Sequence, residues 1–180
     1  AAELLEMEKA DQAAREPLET AFSPGAKPDS ARMVAIFTRL QRVDSANLAR
    51  LKEMVREHGW PDAPRVGPEA AQAVFLLVQH ADRDVPFQKE YLGWLESAYH
   101  AGLLPRGGGQ ALALLTDRVR TAEGRPQLYG SQVDITGGRA VVKPIEDAEH
   151  VDVRRAALGL PPLAEYLAML REMYHLAPNP

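Results

Sequence analysis

The chain has 180 residues, 46% of them apolar and 26% charged, with a formal net charge of -4. That length suits one domain with a real core, and the negative balance speaks against a nucleic-acid binder, which would show a basic face. The absence of cysteine removes disulfides, thiol catalysis and cysteine-ligated zinc or iron–sulfur centres, and no apolar run approaches the roughly 18–20 residues of a membrane span.

Glu3 to Glu19 is expected to be helical, with Leu4, Leu5, Met7 and Ala14 among charged positions. Residues 1–28 thus form an N-terminal helix and connector, broken by Ser23-Pro24-Gly25 and Lys27-Pro28. Asp29 or Ser30 can cap the next helix, which carries Met33, Ile36, Phe37 and Leu40 on one stripe. Asp44 or Ser45 offers another cap before Leu48, Leu51, Met54 and Val55, so this region is one long helix or two. Gly59-Trp60-Pro61 is a stop, since Gly suits a C-terminal cap and Pro cannot continue a helix.

Gly67-Pro68-Glu69 opens a central helix, with Pro near its first turn, that ends around His80. Further helices are expected from about Val85 to Ala101 and from about Gly109 to Ala122, separated by Pro105-Arg106-Gly107-Gly108. Between Gln127 and Lys143, two short apolar runs flank Thr136-Gly137-Gly138-Arg139 and predict a β-hairpin with a Gly-Gly turn. Val151 to Leu158 and Leu163 to Leu176 close the chain as two helices. The expected fold is mainly α: a single-domain bundle of about seven helices over residues 1–180, with a small hairpin near residues 127–143.

Three polar clusters stand out against this frame. Gln79-His80-Ala81-Asp82-Arg83-Asp84 follows the apolar run Ala73 to Val78, and Gln88 lies close by. There His80 can serve as a general acid or base. The bland alternative is a histidine that caps helix carbonyls or meets a carboxylate in the core. His80-x-Asp82-x-Asp84 admits a divalent-metal reading. Residues two apart diverge on a helix, however, so the trio converges only if the backbone leaves helical geometry. Helix-capping aspartates are the alternative, and no cofactor is predicted.

The second cluster is Asp117-Arg118, where Arg118 can hold a carboxylate or phosphoryl group and Asp117 can orient His80. The bland alternative is a structural ion pair between helices. The third is Gln127 with Tyr129-Gly130-Ser131-Gln132, offering a hydroxyl and amide groups for a polar small molecule, or else a turn that satisfies its own backbone. Trp60 is a candidate substrate contact or a core aromatic. Asp11 and Arg15, four apart, suggest a helix ion pair. Glu149-His150 with Asp152 is a second polar patch.

The whole chain resembles the uncharacterised bacterial family DUF6624. The matching elements are Asp11-Gln12 with Arg15, Asn47 with Arg50-Leu51, Gly59-Trp60-Pro61, Val66-Gly67, Gln79-His80-Ala81-Asp82 and Phe87-Gln88. Asp117-Arg118-Val119, Gln127 with Tyr129-Gly130-Ser131-Gln132, Pro144-Ile145-Glu146-Asp147, and Val151-Asp152 with Arg154-Arg155 complete it. Ser131 stands where the family pattern more often has Thr, which keeps the hydroxyl. The resemblance implies no reaction.

Two functional expectations follow. In the first, the chain is a small-molecule enzyme using metal-independent acid–base chemistry, by hydrolysis or intramolecular rearrangement. His80 is the proton-transfer group, Asp82 or Asp117 its orienter, Arg118 an anion stabiliser, and Tyr129 and Gln132 position substrate. Gln79, Asp84, Gln88, Gln127, Ser131 and Trp60 complete the expected binding groups. In the second, it is a non-catalytic binding or interaction protein whose polar clusters form a rigid network. The partner in the enzyme reading is a polar small molecule, with neither nucleic acid nor membrane span, and the oligomeric state is open. An opening Ala1-Ala2 without an initiator Met fits a processed product, including one that has lost a signal peptide. The compartment is therefore open, with the cytoplasm as first expectation.

Overall fold

Leu4, Met7, Asp11, Ala14, Leu18 and Ala21 recur every three or four residues and make one continuous stripe on α1 (Ala2–Ala21). Five of the six are apolar, and the packing of α1 against its neighbours follows from them. The computed structural model describes residues 1–21, 29–104 and 107–177. The expected breaks at Ser23-Pro24-Gly25, Lys27-Pro28 and Pro105-Arg106 lie outside those residues. The chain divides into two units, Ala1–Tyr91 and Leu92–Pro180.

In the first unit, α2 (Ser30–His58) is one uninterrupted helix. Asp29 caps it by accepting from Arg32 N at 2.7 Å, and Gly59, at φ 72, closes it with an N–H to the Val55 carbonyl. Asp44 starts no new helix; its carboxylate pairs with Arg15 at 2.9 Å. After the short α3 (Ala63–Val66) comes α4 (Pro68–Gln79), which buries Ala70, Ala73, Val74, Phe75, Leu77 and Val78. Helices α1, α2 and α4 pack against one another, and Ala14, Ala21, Ile36 and Leu40 form one core cluster. Burying a Leu or Ile side chain of this kind contributes about 1.5–3 kcal/mol.

Helix α5 (Val85–His100) spans the division between the units. The second unit continues with α6 (Gly108–Ala122), β1 (Val133–Thr136), β2 (Arg139–Val142), a 3₁₀ turn at Ala148–His150, α7 (Val151–Ala157) and α8 (Leu163–Met173). The strands are antiparallel, pairing Val133 with Val142 and Thr136 with Arg139. Gly137 and Gly138 turn between them at φ 58 and 72, the left-handed pair that a two-residue hairpin turn demands. Among the described residues the fold is mainly helical, with eight helices, seven of them of seven residues or more, and one two-stranded hairpin.

The hairpin is shorter than the expected 127–143. Residues 127–132 leave strand geometry, and Gln127 keeps only an isolated parallel bridge to Ile145. The reason is local competition: a buried carboxylate takes the backbone N–H groups that a ladder would have used.

Candidate functional site

The first unit places His80 at the C-terminal cap of α4, with φ -87 and ψ -2, a bridge conformation common at active sites. The His80 Nδ1 lies 3.0 Å from both Oδ1 and Oδ2 of Asp11. Asp11 also accepts from Arg15 at 2.7 Å and from Gln12 Nε2 at 2.9 Å. Arg15 reaches onward to Asp44 at 2.9 Å, so the polar chain runs Asp44–Arg15–Asp11–His80 across α2, α1 and the end of α4. Asp11 is only 1% exposed, whereas the imidazole is 17% exposed. The carboxylate is therefore sunk in the helix packing while the ring keeps a partial exposure.

That geometry has a definite chemical consequence. A carboxylate can only accept, so Nδ1 carries a proton whenever it faces Asp11. Nε2 is then the atom left to take or give a proton, the division of labour of a carboxylate–histidine dyad. The carboxylate that faces His80 Nδ1 is that of Asp11.

The remaining candidates around His80 fall into distinct roles. Gln88 is fully buried, and its Nε2 donates to the carbonyls of Val78 (3.1 Å) and Gln79 (3.2 Å), pinning the turn between α4 and α5. Asp82 is exposed, with one oxygen 3.5 Å from that same Nε2. Trp60 stacks against Phe87 and Tyr91, with ring centroids 5.1 and 4.8 Å away. Burial raises the Tyr91 phenol well above its ordinary value. Among the described residues no group of three or more His, Asp or Glu side chains can hold a metal ion.

Asp84 caps α5, accepting from Phe87 N at 3.0 Å, and pairs with Lys52. The Lys52 ammonium, seconded by the Phe87 N–H, holds the Asp84 carboxyl below the usual carboxylate range. A depressed folded value gives stability that is present above the unfolded value and lost as pH falls through the folded one. Asp84→Asn keeps the cap and loses the ion pair, so near neutral pH it should cost less than about 1 kcal/mol. The gap between the urea midpoints of variant and wild type should close as pH falls through the depressed folded value of Asp84. A difference that persists undiminished below it would mean the ion pair is not its source.

The second unit gathers Asp117, Arg118, Gln127, Tyr129, Ser131 and Gln132. Asp117 is fully buried in α6. It accepts from Leu128 N at 2.7 Å, Tyr129 N at 3.0 Å and Ser131 N at 2.9 Å. The carbonyls of the same loop are met from the other side. Arg154 Nε donates to Leu128 O at 2.8 Å, Arg155 donates to Tyr129 O at 2.6 Å, and the Tyr166 hydroxyl donates to Ser131 O at 3.1 Å.

Gln127 joins the base of the hairpin, donating to the carbonyls of Gln132 (3.1 Å) and Lys143 (2.8 Å) and accepting from Gln132 N (2.8 Å). Ser131 Oγ accepts from Gln132 Nε2 at 3.1 Å. Gly130 is needed at φ 70, where an added Cβ would come within 2.7 Å of a Leu163 methyl. Burial, with the Asp117 charge adding to it, raises the pKa of Tyr129, so its phenol stays a neutral donor. Arg118 is half-buried beside Asp117 on α6. In the described turn at the start of α7, His150 Nδ1 meets Asp147 at 2.8 Å on an exposed surface.

Taken at the level of class, this is a helical protein carrying a buried-carboxylate–histidine dyad, and none of its described helices is long and apolar enough to cross a membrane. The chain belongs to the DUF6624 family, a family of unknown function whose model matches residues 1–178. No curated protein and no solved structure matches it.

Proposed function

We propose that the protein is a metal-independent acid–base enzyme acting on a polar small molecule, with His80 as the proton-transfer group and Asp11 as the residue that positions it. The observation that carries this reading is the Nδ1 of His80 held at 3.0 Å from both oxygens of a carboxylate that is itself 1% exposed. A buried acid with three donors costs desolvation, and here one of those donors is an imidazole that keeps a partial exposure. His80 Nε2 takes a proton from a substrate hydroxyl or an attacking water and returns it to the leaving atom, while Nδ1–H stays on Asp11. Hydrolysis and intramolecular rearrangement both use that cycle.

A second reading, a binding protein whose polar network is structural, draws support from the second unit. There Asp117, Gln127 and Arg155 use their polar atoms on their own loop backbone. A panel of esters, lactones, amides and phosphoesters separates the two when run on wild type and His80→Gln. The enzyme reading expects turnover that falls by roughly 10²–10⁴-fold in the variant, with its melting temperature unchanged or raised, since active sites often give up stability. No turnover by wild type, with a fall of several degrees in the variant, equivalent to about 1–2 kcal/mol, would replace it with the structural reading.

A further inference from the structure

Exposed apolar side chains scattered singly over a surface need no explanation. Those near the end of the second unit are gathered. Helix α8 carries three charged residues, Glu165, Arg171 and Glu172, and its other eight are apolar, yet none of its residues, all of them described, is buried. Its inner side is settled: the Tyr166 hydroxyl donates to Ser131 O at 3.1 Å, and the Arg155 guanidinium lies 4.9 Å from the centre of that ring. Its outer side leaves Met169 54% and Met173 63% exposed, and Tyr174, at the C-terminal cap, 52% exposed. Ile135, 57% exposed, extends this surface. It stands opposite Ala140, so the two share one face of the hairpin, and Ala140 is buried on the strand against which α8 packs. Ala177 N donates to Gly138 O at 2.9 Å and ties the segment after α8 to the hairpin turn.

The charges beside the methionines are of one sign. Glu165, Met169 and Met173 follow one another at four-residue intervals along a single ridge, and Glu172 lies three residues from Met169. Both glutamates are exposed. Arg171, two residues from each methionine, falls off that ridge, and Arg139 alternates with Ala140 onto the other face of the hairpin. We propose that the Met169–Met173 ridge is a docking surface for a basic amphipathic helix of another protein. Methionine adapts its shape to many apolar faces. A helix laid along the ridge sets its three- and four-spaced apolar anchors on Met169, Met173 and Ile135, and its lysines or arginines meet Glu165 and Glu172. The same carboxylates repel an anionic lipid surface and set like charges against one another across a pair of α8 helices.

The test is fluorescence anisotropy of a labelled short helical peptide of leucine and lysine, titrated with the whole chain beside a counterpart in which glutamate replaces every lysine. The lysine peptide should bind with a dissociation constant on the order of micromolar, weakening several-fold as salt is raised to physiological strength, and the glutamate peptide should not bind. Met169→Ser combined with Met173→Ser should weaken the lysine peptide roughly tenfold. Glu165→Lys combined with Glu172→Lys should transfer the preference to the glutamate peptide, a gain that misfolding cannot produce. His80→Gln should change none of this, because the ridge does not rest on the catalytic reading. Equal binding of the two peptides, binding indifferent to the methionine pair, or no binding by wild type would overturn the proposal. A wild type that sediments as a dimer, with the methionine variant a monomer, would overturn it as well and give the ridge to a second copy of the chain.

Discussion

Asp117→Ala should destabilise the protein by about 3–5 kcal/mol, because three backbone donors in and beside a buried loop lose their acceptor at once. The carboxylate takes the N–H groups of Leu128, Tyr129 and Ser131 between 2.7 and 3.0 Å, and Ser131 is itself buried. Each orphaned N–H costs roughly 1–3 kcal/mol, reduced at Leu128 and Tyr129 by their partial exposure. Arg155 adds to the loss. It is 2% exposed, its burial lowers its pKa, and the Asp117 charge works against that lowering.

Asp117→Asn keeps one accepting oxygen and should fall between, near about 2 kcal/mol. Urea denaturation gives the total. Amide hydrogen exchange at residues 128, 129 and 131 shows whether the loop opens before the rest, as a local unfolding event would. A cost below about 1 kcal/mol for Asp117→Ala would mean that the loop finds other acceptors and that this carboxylate is not its organiser.

The role of Asp117 also marks the limit of what could be read from the chain. Local signals were plain: Gly59, Gly67-Pro68 and Gly137-Gly138 each act through φ or a missing N–H at their own position, and each lies at a helix or strand boundary. Asp117 reads from sequence as an orienter for His80 or as half of an ion pair between helices, because only side-chain partners are suggested by residue type. Its partners lie 11 to 14 residues downstream, in backbone groups that every residue shares, and no side-chain pattern announces them.

Asp11 is different. The signal was present and was passed over. Leu4, Met7, Ala14 and Leu18 set an apolar three-four spacing in which Asp11 takes one of the buried places. A carboxylate at such a place needs a partner from another helix. Its i, i+4 neighbour Arg15 supplied an adequate local explanation and concealed the distant one, His80, 69 residues away.

Substituting Asp11 therefore has the largest expected functional effect. In Asp11→Asn the side chain keeps its shape, but three donors surround it: Arg15 and His80 at one oxygen, Gln12 and His80 at the other. An amide nitrogen placed at either position faces a donor. The best compromise turns the nitrogen towards Gln12, which lies on the surface and can reverse its own amide, and leaves His80 a single weaker acceptor. Nδ1–H is then no longer enforced, and a fraction of the imidazole presents a protonated Nε2 that cannot act as base.

Activity in Asp11→Asn should fall on the order of 10²–10⁴-fold, with a stability loss of about 1–3 kcal/mol from the mismatched donors. Asp11→Leu separates the two effects. It completes the apolar stripe of α1 and leaves Arg15 paired with Asp44, so it should be at least as stable as Asp11→Asn while equally inactive, since an apolar replacement removes the buried charge rather than stranding it. The ¹⁵N chemical shifts of the His80 ring read the tautomer directly in all three proteins. Wild-type His80 protonated at Nε2 in its neutral form, or full activity in Asp11→Leu, would remove Asp11 from the mechanism and leave the dyad as a device of packing.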